Sequence, residues 1–110
     1  MNLIGDVKGK DAIIVDDMVD TAGTLTQGAN AVKAAGARSV FAYAVHSVLS
    51  GPAIARINES VLEEAVFSDS VPLNKDAQAC KKIRQVGTEA LLGEAIARIY
   101  RAESLSTLFV

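Results

Sequence analysis

The chain has 110 residues, 50% hydrophobic and 22% charged, with 8 Gly, 2 Pro and 1 Cys. That composition suits one domain spanning residues 1–110, and at this length folding buries roughly 65% of the surface an unfolded chain exposes, enough for one core and no second domain. The formal net charge of -2 provides no basic field for a phosphate backbone. The longest uncharged apolar stretch, Ser39 to Pro52, is too short and too polar at His46 and Ser47 to span a bilayer. Neither nucleic acid nor membrane is expected as a partner. The lone Cys80 builds neither a disulfide framework nor a zinc site, and no secretory leader opens the sequence, which points to a reducing, cytoplasmic setting.

Taken in chain order, Ala12-Ile13-Ile14-Val15 is a β-branched run after the turn-like Lys8-Gly9-Lys10-Asp11, and it stops at Asp16-Asp17. It predicts a buried strand. Thr24 to Ala35 is Ala-rich, with Leu25, Ala29, Val32 and Ala35 near helical spacing, and Gly36 stands where a helix would stop. Val40 to Val45 predicts a second strand, and Pro52 to Ile57 a short helix with Pro52 suited to its first turn. Val61 to Phe67 and Lys82 to Val86 are weaker strands, with Ser68 to Pro72 a loop between them. Ala90 to Tyr100 is the clearest helix, its Leu91, Leu92, Ala95, Ile96 and Ile99 on one stripe and Arg98 and Arg101 placed to complement the helix dipole. Wholly apolar strands alternating with helices predict an α/β, Rossmann-like fold, a parallel sheet with helices on both faces.

In such a sheet, ligands bind beyond the carboxyl ends of the strands. That position is held by Asp16-Asp17-Met18-Val19-Asp20-Thr21-Ala22-Gly23-Thr24. Asp20, Thr21 and Thr24 offer capping oxygens, and Ala22-Gly23 leaves an anion free to approach the amides at the positive end of the helix. Two adjacent carboxylates, Asp16 and Asp17, repel each other unless a divalent cation or a diol shares them. The combination points to a phosphorylated polyol with magnesium nearby. Plain helix capping accounts for an Asp, Thr and Gly turn equally well, but it has no need of a doubled Asp. A Walker A loop is excluded, because Gly28 is followed by Ala29-Asn30, and no dinucleotide fingerprint is present.

The run Ile14-Val15-Asp16-Asp17-Met18-Val19-Asp20-Thr21-Ala22-Gly23-Thr24-Leu25 resembles the phosphoribosyl-pyrophosphate signature of the ribose-phosphate pyrophosphokinase family, also called phosphoribosyl-pyrophosphate synthetases. Gly36 to Ala44, Leu49 to Ala53, Leu91 to Ile96 and Glu103 to Phe109 resemble successive blocks of that family's C-terminal half, in the same order. The signature alone is shared by phosphoribosyltransferases, whose fold type the resemblance implies; the later blocks fit those enzymes poorly. By resemblance, Asp20, Thr21, Ala22, Gly23 and Thr24 would hold the 5-phosphate, and Asp16 and Asp17 would face the ribose hydroxyls and a magnesium ion. The implied reaction converts ATP and ribose 5-phosphate to AMP and phosphoribosyl pyrophosphate in a homo-oligomer serving nucleotide biosynthesis. Ser104, Ser106 and Phe109 are regulatory candidates on the same ground.

The resemblance thins at Val45-His46-Ser47 and Val86-Gly87-Thr88, and the family's ATP-binding residues and mobile basic loop have no counterpart in this sequence. Met1 matches an internal methionine of the family, so the chain reads as half an enzyme lacking the family's N-terminal half, through a truncated gene product, a fragment or a misassigned start. The alternative is a non-catalytic sugar-phosphate-binding or synthetase-associated module. His46, the one histidine, is expected to take a hydrogen-bonded structural or a subunit-contact role, Cys80 to be an unremarkable thiol, and Lys81-Lys82 with Arg84 a solvated face.

Overall fold

The computed structural model describes residues 6–102. Its elements are β1 (Asp11–Val19), α1 (Gly23–Ala34), β2 (Ser39–Ser47), α2 (Ala53–Glu59), β3 (Glu64–Ser68), α3 (Lys75–Ala79), β4 (Ile83–Val86) and α4 (Glu89–Tyr100). All four strands are parallel and lie in the order β1-β2-β3-β4. The expected α/β class stands. Strand order follows chain order without reversal, so right-handed crossovers place the connecting helices on the same face of the sheet.

On that face Val40 and Ala42 of β2, Ala65 and Phe67 of β3 and Ile83 of β4 meet Leu25, Ala29 and Val32 of α1, Ile57 of α2 and Ala77 of α3. Phe67 is 1% exposed, and burying a side chain of that size contributes about 2–3 kcal/mol. The expected cover on the second face is not found among the described residues: Ile13, Val15, Tyr43, Val45 and Val86 are exposed there. The apolar stripe of α4 is likewise bare, with Leu92, Ile96 and Ile99 between 57% and 67% exposed. Its helical spacing is as expected, and Glu94 pairs with Arg98 and Arg101 on its polar side.

Boundaries shift where hydrogen bonding outweighs composition. β1 does not stop at Asp16-Asp17 but runs to Val19, because β2 pairs with it as far as Met18↔His46 and Val19↔Ser47. Among the described residues β1 also lies at the edge of the sheet, where a buried strand was expected. α1 closes as expected at Gly36, whose φ of 103° is open to glycine; Gly36 N–H donates to Lys33 O and Ala37 N–H to Val32 O, the two bonds of a Schellman motif. α3 has no periodic signal in the sequence, yet Asn74 caps it by accepting from Ala77 N–H at 2.8 Å. Lys82 is not simply solvated: its Nζ donates to Ser60 O at 2.8 Å, and Arg84 pairs with Glu64 at 3.1 Å.

The opening of β1 is fixed to β2 by a fork of charge-assisted bonds. Arg38 Nε and Nη2 donate to Asp11 Oδ1 and Oδ2 at 2.9 and 2.6 Å, and Ser39 Oγ donates to Asp11 Oδ1 at 2.5 Å. Hydrogen bonding from Arg38, then from Ser39, holds the Asp11 carboxyl down at about 2 against an ordinary 3.8. A carboxyl lowered on folding stabilises the fold above its unfolded value, and that contribution fades as pH falls through the folded one. Asp11→Asn is therefore expected to flatten the stability profile between pH 3.8 and about 2, measured as urea midpoints across that window. An unchanged acid limb would count against the fork.

Candidate functional site

β1 delivers its carboxyl end beside the amino end of α1, and Asp20, Thr21 and Ala22 make the turn between them. Ala22, not one of the polar residues, is the N-cap. It is buried, sits in the left-handed region at φ 64° and ψ 11°, and no side chain caps the helix. The capping role expected of Asp20, Thr21 and Thr24 is thereby corrected: with Ala22 left-handed, their oxygens remain for another use. The first helical bond runs from Thr26 N–H to Ala22 O at 3.0 Å, so the N–H groups of Gly23, Thr24 and Leu25 precede the ladder, at the positive end of the helix dipole.

The turn is held from the neighbouring loop. Val48 and Leu49 N–H both donate to Val19 O at 3.1 Å, and Ser50 N–H donates to Asp20 O at 2.8 Å. Leu49 is itself left-handed at φ 53° and buried, a second strained residue against the same turn. Arg56 of α2 is a contributor that sequence reasoning missed. Its Nη1 donates to Thr21 O at 3.1 Å, and a Cβ added at Gly23 would lie 3.0 Å from that nitrogen. Gly23 therefore lets the guanidinium lie against the turn. Nothing local in the sequence links position 56 to position 23.

These pieces surround a hollow of about 250 Å³ lined by Asp16, Met18, Asp20, Thr21, Ala22, Gly23 and Thr24 among others. Thus Asp16 and the whole of Asp20 to Thr24 come together as expected. Asp17 does not line the hollow. β1 remains extended through both carboxylates, so successive side chains point to opposite faces, and Asp17 shares the open face with Val15. The two are joined in another way: Asp17 N–H donates to Asp16 Oδ1 at 2.8 Å. Asp16, Asp17, Asp20, Thr21 and Thr24 are exposed.

Among the described residues no three His, Cys, Asp or Glu side chains gather as a metal cage. The donor set fits an ion shared between one carboxylate and a bound phosphate, a common arrangement for magnesium, and not an all-protein site. His46 pairs with Met18 in the ladder, and its Nδ1 lies 2.7 Å from Ser70 Oγ. Ser70 Oγ donates to Val45 O, so it accepts from Nδ1–H, and His46 is hydrogen bonded within the chain. Cys80 is half-buried, its Sγ 3.9 Å from Asn58 Oδ1. Ser104, Ser106 and Phe109 lie outside the described residues. No helix among the described residues is long and apolar enough to cross a membrane.

The sequence profile of the phosphoribosyl synthetase-associated domain matches residues 1–110. A ribose-phosphate pyrophosphokinase of Bordetella pertussis is 59% identical over 109 residues, 99% of this chain and 35% of the relative. One from Nitrosomonas europaea is 50% identical over 110 residues, 100% of this chain and 35% of the relative. The crystal structure of phosphoribosylpyrophosphate synthetase from Mycobacterium smegmatis superimposes with a TM-score of 0.81 at 33% identity, covering 90% of this chain and 33% of that one. The chain spans about a third of the length of the relatives it matches. The C-terminal half expected from the block matches is corrected accordingly: the match is to a third of such a protein and not to a half.

A β-branched residue at the left-handed, buried cap is costly. Ala22→Val is expected to lose about 1–3 kcal/mol of stability, read from urea unfolding. A variant within about 0.5 kcal/mol of the parent would mean that the turn does not hold Ala22 left-handed.

Proposed function

Because the chain belongs to the phosphoribosyl synthetase-associated domain family, we propose that it supplies the ribose 5-phosphate-binding part of a ribose-phosphate diphosphokinase. That enzyme moves the β,γ-diphosphoryl group of ATP to the 1-hydroxyl of ribose 5-phosphate, leaving AMP and phosphoribosyl pyrophosphate. The reading is carried by one observation, the uncapped amino end of α1 under a left-handed Ala22. A side-chain cap would occupy those amides; without one they favour a terminal phosphate.

In this reading the N–H groups of Gly23 and Thr24 and the hydroxyls of Thr21 and Thr24 hold the 5-phosphate, and Asp20 shapes the rim. Asp16, on the hollow's side of β1, accepts from the ribose hydroxyls. Asp17 keeps its expected role only toward a ligand that reaches over the strand's end to the open face. Magnesium, when bound beside Asp16 or Asp17, would supply charge neutralisation to the diphosphate. The chain's own contribution is positioning: a fixed turn sets the pentose so that its 1-hydroxyl is presented in one orientation. The same reading carries a homo-oligomer and a reducing, cytoplasmic setting, the latter in keeping with the free Cys80 thiol. The second reading, a sugar-phosphate-binding module without catalysis, is favoured by the match to only a third of the relatives' length.

Ribose 5-phosphate is expected to give saturable heats in a calorimetric titration, and Asp20→Ala and Gly23→Val are expected to abolish them with far-ultraviolet circular dichroism unchanged. Undiminished heats in both variants would remove the site assignment. AMP release from ribose 5-phosphate, ATP and magnesium by this chain separates catalysis from binding alone.

A further inference from the structure

The hollow at the end of β1 and a groove between α1 and α2 have one lining residue in common, Gly23. Thr26, Gln27, Asn30, Arg56 and Glu59 line the groove, so the turn from Asp20 to Gly23 has one side toward the hollow and another toward Arg56. Two carbonyls of the turn are bonded from the groove side. Arg56 Nη1 donates to Thr21 O at 3.1 Å, and Thr26 donates to Ala22 O twice, from N–H at 3.0 Å and from Oγ1 at 2.7 Å. In a planar trans peptide the carbonyl and the following N–H point in opposite directions. A donor behind Thr21 O therefore aims Ala22 N–H at the hollow, and the Thr26 pair does the same for Gly23 N–H. Ala22 is 4% exposed, and its N–H has no acceptor among the described residues.

We propose that Arg56 is a positioning residue for the phosphate, acting through the Thr21–Ala22 peptide and not by touching the ligand. The inference rests on the ribose 5-phosphate reading and adds Ala22 N–H to the donors of Gly23 and Thr24. The arginine is held in place by its helix. Ala53 and Ile57 of α2 are 0% exposed, and the helix is tied to the turn itself, since Ala53 N–H donates to Ser50 O and Ser50 N–H to Asp20 O. Gly23 leaves room for the guanidinium, because a Cβ there would lie 3.0 Å from Nη1. Glu59 lines the same groove, yet among the described residues no carboxylate forms an ion pair with Arg56. Its charge is thus left to act on the turn. A charged donor on a carbonyl polarises the whole peptide and strengthens that peptide's N–H as a donor in turn. The ligand that gains from this is an anion on the far side of the peptide.

Calorimetric titration with ribose 5-phosphate is expected to show Arg56→Ala binding at least about tenfold more weakly than the parent chain, with circular dichroism unchanged. Arg56→Lys is expected to stay within about threefold of the parent, because Thr21 O takes a single bond, which an ammonium can supply as well as a guanidinium. Should Arg56→Ala unfold, Arg56→Gln carries the same expectation, since it keeps most of the stem and lacks the charge. Without ligand, the amide nitrogen of Ala22 is expected to change its NMR shift in the neutral variant and to return in Arg56→Lys. A parent chain that binds no ribose 5-phosphate overturns the functional reading and this inference together. A parent that binds overturns this inference alone if the neutral variant stays within about twofold of it, if Arg56→Lys is as weak as the neutral variant, or if the Ala22 signal does not move.

Discussion

A buried alanine held at φ 64° is the constraint on which the candidate site rests. Ala22 turns the chain so abruptly that the usual polar cap cannot form, and α1 begins with its first amides uncovered. Left-handed alanine is unfavourable by itself. It persists because the loop after β2 donates three main-chain bonds to Val19 and Asp20, one of them from a second left-handed residue, Leu49, and because Arg56 reaches Thr21 O from α2. The surroundings over-determine the turn, and the strain leaves the first amides of α1 uncapped and fixed in place. In the proposed reading a phosphate would meet those amides with little rearrangement, as positioning requires.

The second organising feature is one-sidedness. With strands laid down in chain order, the crossover helices gather on one face, and the core sits between that face and α1, α2 and α3. The other face retains Ile13, Val15, Tyr43 and Val45 in the open, and α4 leaves its apolar stripe equally bare. Surfaces of this kind mark places where more protein belongs. The same asymmetry divides the carboxylate pair. Continuous β1 geometry sends Asp16 toward the hollow and Asp17 toward the bare face, so adjacency in sequence does not become a shared chelate.

Much of this was legible before any coordinates. Apolar runs at Ala12 to Val15 and Val40 to Val45 marked their strands, Gly36 marked the end of α1, and Asp20 to Thr24 marked the turn. Three things were not, each for a physical reason. Asp16-Asp17 looked like a strand end because carboxylates are poor strand formers, whereas ladder bonds from β2 carry β1 through them. The cap of α1 looked like Asp or Thr because those residues cap by preference, and an alanine gives no sign of a left-handed backbone. Arg56 and the bare faces depend on contacts between distant positions, to which periodicity is blind. The apolar stripe of α4 announced a helix, but a stripe does not name its partner.

Laying the strands in sequence order has a consequence for biosynthesis. As β2, β3 and β4 emerge from the ribosome in turn, each finds its sole upstream neighbour already made, so no strand has to insert between two others. The sheet can grow from one side during translation, with α1 docked before the next strand is complete.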